Sequence, residues 1–102
     1  MIDKKQNIEK MIIKTTKDLA KKLTEKIGGR HYIYEIGNMR YEICEFNDGK
    51  GWCLNEYKAI KPSPNFPKGW KYIDAYGYDG LLLRECKDMI LGYWNRGEIK
   101  ED

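Results

Sequence analysis

The sequence predicts an α+β fold: an N-terminal amphipathic helix, an antiparallel meander of three to four strands, and a C-terminal helix. Three observations carry this. Apolar residues follow a helical spacing over the first quarter of the chain, switch to strict alternation in the middle, and return to helical spacing near the end. A chain of 102 residues, 41% hydrophobic and with three Trp, eight Tyr and two Phe, is rich enough in large side chains to fold as one domain over 1–102 around a single core.

The first helix is expected over about 7–27. Ile8, Ile12, Leu19, Leu23 and Ile27 fall on one face at about 100° per residue, and Lys10, Lys14, Lys17 and Lys21 fall on the opposite one. Asn7 supplies an N-cap and Gly28-Gly29 a left-handed stop. Asp18 and Lys22 form an i,i+4 pair that adds about 0.2–0.5 kcal/mol.

Two strands, about 30–36 and 39–46, follow around Gly37-Asn38, a two-residue hairpin loop with glycine first. Counting outward pairs Ile36 with Met39, Tyr34 with Tyr41 and Tyr32 with Ile43 on an apolar face, while Glu35 meets Arg40 on the other. A slip of one residue would destroy both faces, so the register is well specified. A third strand is expected over about 52–60 after the loop Asn47-Asp48-Gly49-Lys50-Gly51. A four-residue loop places Trp52 and Leu54 on the apolar face and a five-residue loop turns them over; burial favours the former, with a bulge. Residues 61–69 hold three prolines and are read as a loop, and Trp70 to Tyr76 as a fourth strand. Gly77-Tyr78-Asp79-Gly80 is read as a turn with Asp79 as N-cap. It leads into a helix over about 80–96 whose apolar stripe is Leu82, Cys86, Met89, Ile90 and Tyr93. Residues 97–102 are expected to fray.

Charge is unevenly placed. Residues 1–27 hold eight lysines against four acids, a net of +4, and residues 28–102 hold eleven basic against twelve acidic side chains, a net of −1. No apolar run reaches the roughly 18 residues of a membrane span, and the N-terminus lacks the pattern of a secretory leader, so a cytoplasmic protein with no membrane partner is expected. Cys44, Cys53 and Cys86 are odd in number and without metal-binding spacing, which fits a reducing compartment; a Cys44–Cys53 bridge across a hairpin is the alternative.

Chemistry is sparse. His31 is the only histidine, and the hairpin register sets it opposite Cys44, which is the one nucleophile pairing the sequence permits; no third residue is evident to orient the imidazole. Three scattered cysteines and one histidine do not make a zinc motif. The Asn47-Asp48-Gly49 loop lacks the later acid of a calcium loop, and no glycine pattern cradles phosphate. No catalytic, metal or cofactor residue is therefore assigned, and no enzyme is expected. The lysine stripe Lys10, Lys14, Lys17, Lys21 offers phosphate contacts, against the plainer reading of a solvated helix face. Tyr57, Phe66, Trp70, Tyr72, Tyr76 and Tyr78 exceed what one small apolar face requires and are the candidate partner-binding residues.

The order YIYEIGNMRYEI, GWCLNEY, WKYIDAY, LLLRECKDMI resembles small orphan proteins of phages and mobile elements, anti-CRISPR-type inhibitors among them. The resemblance implies stoichiometric binding to a host defence protein or nucleoprotein and carries no functional residue across. The positive net charge departs from the acidic, DNA-mimicking members of that group. The expected function is thus a non-enzymatic protein-binding module, plausible as a mobile-element inhibitor. The alternative is a nucleic-acid-binding protein that uses the lysine stripe and exposed tyrosines; a homo-oligomer is compatible with either.

Overall fold

The computed structural model describes residues 13–101. In chain order these form α1 (Thr16–Lys21), β1 (Leu23–Ile27), β2 (His31–Ile36), β3 (Met39–Glu45), β4 (Trp52–Ala59), β5 (Trp70–Leu81) and α2 (Leu83–Asn95). The fold class is α+β. All five strands are antiparallel in the order β1-β2-β3-β4-β5, one more than the sequence pattern implies.

The extra strand replaces the end of the expected first helix. Asn7, Ile8, Lys10 and Ile12 lie outside the described residues. Within those residues the helix lasts six residues, opened by the Asp18 carboxylate, which accepts the Thr15 N–H (2.7 Å) and hydroxyl (3.0 Å). These two bonds hold the Asp18 carboxyl below its ordinary range. Asp18 is thus committed to its own cap, and Lys22 pairs instead with Glu101 at 3.0 Å. Leu23–Ile27 then fills the free edge of β2, with a bulge between Leu23 and Glu25 that lets the Thr24 hydroxyl accept the Glu35 N–H at 3.0 Å. Backbone pairing along that edge outweighs helical spacing in a segment this short. Leu19 and Leu23 keep their place toward the core, but Ile27 turns out and is 49% exposed. Gly28-Gly29 belongs to a hairpin loop, not to a helix stop.

The β2–β3 hairpin has the register implied by the sequence, from Ile36 opposite Met39 to His31 opposite Cys44. Leu54 pairs with Ile43 and Cys53 with Cys44, so β4 joins with Leu54 on the apolar side. The core lies between that side of the sheet and the helices. Leu19, Ile36, Tyr41, Ile43, Leu54, Cys86 and Ile90 are each 0–1% exposed, and each such burial contributes about 1.5–3 kcal/mol for a large apolar group.

The expected turn at 77–80 is instead the continuation of β5 to Leu81. Gly80 serves close approach here: a Cβ on it would lie 2.4 Å from the Lys50 carbonyl oxygen, so the corner at Lys50-Gly51 can seat against the strand only because that atom is missing. Asp79 therefore caps nothing; α2 begins after Leu82, whose N–H is accepted by the Glu85 carboxylate at 2.9 Å. The tail is docked rather than frayed. Ile99 is 5% exposed within the core, Lys100 and Asn38 exchange hydrogen bonds of 2.9 and 3.1 Å, and Glu101 accepts the Trp94 indole N–H at 3.1 Å. Among the described residues no helix is long and apolar enough to cross a membrane.

Candidate binding face

Because both helices pack on one side of the sheet, residues of opposite parity project from the other. His31, Ile33 and Glu35 on β2, Arg40, Glu42 and Cys44 on β3, Cys53, Asn55 and Tyr57 on β4, and Tyr72 and Ala75 on β5 form this second face. Its centre is ionic. Arg40 forks between Glu35 (Nη1 to Oε2, 3.0 Å) and Glu42 (Nε to Oε2, 3.0 Å), and the other Glu42 oxygen lies 3.3 Å from His31 Nε2. Ile33 is 3% exposed beside these groups, an apolar residue buried outside the helix-side core.

Toward one end, the proline-rich loop folds back over this face. Its shape is set by a short turn in which the Ser63 and Phe66 backbones bond each other (3.0 and 3.2 Å), with the Ile60 N–H on the Gly69 carbonyl at 2.8 Å. The half-buried Phe66 is thereby brought opposite Tyr57 and Trp70, and with Arg40, Glu42 and Lys68 they line a groove of about 280 Å³. Tyr72, 49% exposed, meets Tyr57 edge to face at a centroid distance of 5.8 Å. Four of the six sequence-derived binding candidates, Tyr57, Phe66, Trp70 and Tyr72, thus gather in one place.

The other two do not join them. Tyr78, 89% exposed, stands six residues further along β5 and lines a separate hollow with Phe46 and Cys53. Tyr76 lies on the helix side. Its hydroxyl donates to Glu56 Oε1 at 3.5 Å and its ring lies 6.5 Å from that of Tyr93. Glu56 also accepts from Tyr41; burial among these rings pushes its carboxyl up, while the two phenol bonds oppose that rise. The alternation that sets Trp52 and Leu54 on the apolar face sets Glu56 there too, two residues further along β4.

The lysine stripe is not one helical face. Lys10 lies outside the described residues, Lys14 precedes α1 and sits over the Trp94 ring at 5.1 Å, and only Lys17 and Lys21 are exposed on α1 itself. Lys68 lines the aromatic groove. Lys58, Lys61, Lys68 and Lys71 are all exposed with no carboxylate within 4.0 Å among the described residues, but Lys58 stands opposite Met39 and Lys71 opposite Lys58, so those two project from the helix side of the sheet. Residues 57–73 contain four lysines, four aromatic residues and no acid, but alternation along β4 and β5 divides them between the two faces of the sheet. A cleft of about 460 Å³ between α1 and α2, lined by Leu19, Tyr34 and Leu83, faces the opposite side and holds none of these groups.

The three cysteines are free. Burial, with the neighbouring Cys53 next in weight, pushes the Cys44 thiol up to about 12, and burial pushes Cys86 up to about 11. No family model, no curated protein and no solved structure matches this chain.

Proposed function

We propose that this chain is a non-enzymatic protein-binding module, and that the groove between the 61–69 loop and the uncovered face of the sheet takes an acidic, aromatic-compatible segment of a partner protein. The observation that carries the reading is the juxtaposition of Tyr57, Phe66, Trp70 and Tyr72 with the exposed Lys68, which has no carboxylate partner among the described residues. Rings with a polar tip provide contact area at little entropic cost, and unpaired cations steer an oppositely charged partner into place. The Arg40–Glu42 pair in the groove gives it a polar anchor of fixed orientation. Stoichiometric inhibition of a host defence protein or nucleoprotein is one form such binding would take. No catalytic role is assigned to Cys44, since a thiol with a raised pKa is the reverse of an activated nucleophile.

A second reading rests on the same groove: a single-stranded nucleic acid could contact Lys68 while its bases stack on Tyr72. One experiment separates the two. Wild-type protein and a Lys68→Glu/Tyr72→Ala variant, both at exposed positions, are used as bait in host lysate with and without nuclease. A protein partner at stoichiometric recovery, insensitive to nuclease and lost with the variant, is expected. Loss on nuclease treatment moves the assignment to nucleic acid, and retention of the partner by the variant refutes the groove.

A further inference from the structure

We propose that His31, Glu42, Cys44 and Cys53 form a binding site for one zinc-like, thiophilic divalent cation on the uncovered face of the sheet. His31 Nε2, a Glu42 carboxylate oxygen and Cys44 Sγ lie within 4.8 Å of one another. Their positions follow from strand register, because His31 stands opposite Cys44 across β2–β3 and Glu42 is two residues back along β3 on the same face. Cys53 stands opposite Cys44 across β3–β4, on the same face. Three adjacent strands therefore converge a nitrogen, an oxygen and two sulfurs.

A second observation, independent of this clustering, points to a ligand. The His31 Nε2 atom is buried yet has no hydrogen-bond partner among the described residues. It is 3.3 Å from Glu42 Oε1, close enough for Coulomb attraction, but the angle is wrong for a hydrogen bond. A buried imidazole nitrogen that bonds nothing is a cost unless something else occupies its lone-pair direction. Glu42 is suitably prepared: Arg40 holds Oε2 at 3.0 Å, leaving Oε1 free and oriented, as outer partners of metal-bound carboxylates do. The local charge also suits a cation, with Glu35 and Glu42 against the single Arg40.

The donor set selects the metal. Two sulfurs with an imidazole and a carboxylate favour four-coordinate zinc over calcium or magnesium, which want oxygen ligands. A tetrahedral zinc centre places its donor atoms about 3.5 Å apart; side-chain rotation would close the present 4.8 Å limit among His31, Glu42 and Cys44 and bring in Cys53 from the neighbouring strand. The bound ion would tie β2, β3 and β4 together on the side that neither described helix covers. Since Glu42 also lines the aromatic groove, the ion would fix one wall of that groove.

The test is a titration of the reduced, full-length protein with Co²⁺ followed by Zn²⁺. One equivalent of Co²⁺ should produce thiolate-to-cobalt charge transfer and the intense visible bands of a tetrahedral site, discharged by one equivalent of Zn²⁺. Cys44→Ser and His31→Asn should each weaken Zn²⁺ binding by more than about 100-fold, beyond the 10–100-fold typical of an outer partner. Cys86→Ala, on the helix side, should bind as wild type. Far-UV circular dichroism confirms that each variant is folded, and Cys53→Ser serves if one is not. Absence of the charge-transfer band in the wild type, its persistence in both Cys44→Ser and His31→Asn, or its loss in folded Cys86→Ala overturns the proposal.

Discussion

Gly37→Ala tests whether the C-terminal tail is part of the fold. Gly37 has φ +55°, and a Cβ there would fall 2.0 Å from the Lys100 carbonyl oxygen, an overlap neither backbone can absorb in place. The substitution therefore imposes two costs. Holding a non-glycine residue in this region costs about 1–3 kcal/mol. Displacing Lys100 releases its two hydrogen bonds with Asn38 and withdraws Ile99 from the core; emptying such an aliphatic site costs about 2–5 kcal/mol, of which the returned freedom of residues 98–101 offsets a part. A total of about 3 kcal/mol is expected, measured by urea denaturation followed by tryptophan fluorescence. The decisive comparison is a double-mutant cycle with a chain ending at Gly97. In that background Gly37→Ala should cost only its backbone strain, so the two changes should be coupled by about 2 kcal/mol. If they add within about 0.5 kcal/mol, the tail and the hairpin act independently and the docking argument is wrong.

Two further outcomes follow from the helix side. Glu56 titrates above its ordinary range in the folded protein because burial disfavours its charge. A raised folded pKa means that its stabilising contribution is present below the unfolded value and is lost as pH rises through the folded one. Glu56→Gln should remove that loss, and denaturation midpoints of the two proteins measured from pH 4 to pH 8 should diverge as pH rises; parallel profiles would show that Glu56 is not desolvated. Leu19→Ala should cost about 2–5 kcal/mol, because α1 is too short to persist without its one buried side chain. Limited proteolysis should then cut between Thr15 and Lys22 first, and unchanged protection there would mean that α1 is held by other contacts.

The hairpin Tyr32–Ile43 was legible because two patterns, apolar pairs and Glu35 opposite Arg40, agree on one register. The stretch Leu19–Ile27 was misread for a physical reason: Leu19, Leu23 and Ile27 suit a helix and a helix-turn-strand almost equally, and only the vacant edge of β2 decides between them. Gly77 and Gly80 were likewise ambiguous, since a glycine marks a turn or a close approach with the same letter, and the approach comes from Lys50, 30 residues earlier. At the candidate face, the opposition of His31 and Cys44, with Glu42 two residues back on the same face, could be counted from the loop, but Cys53 joins them only after β4 is placed. The split of Tyr76 from Tyr72 needed the bulge between Glu56 and Tyr57, which periodicity does not announce.

The contacts around Trp94 fix where the described chain begins and ends. Lys14 rests on its ring and exchanges bonds of 2.6 and 3.2 Å with Asn95, while Glu101 holds its indole N–H. The chain thus enters and leaves the described fold at neighbouring points beside α2, with the whole thickness of the sheet between them and the aromatic groove. Both ends of the described chain lie on the helical side of the sheet, away from the face that carries the groove.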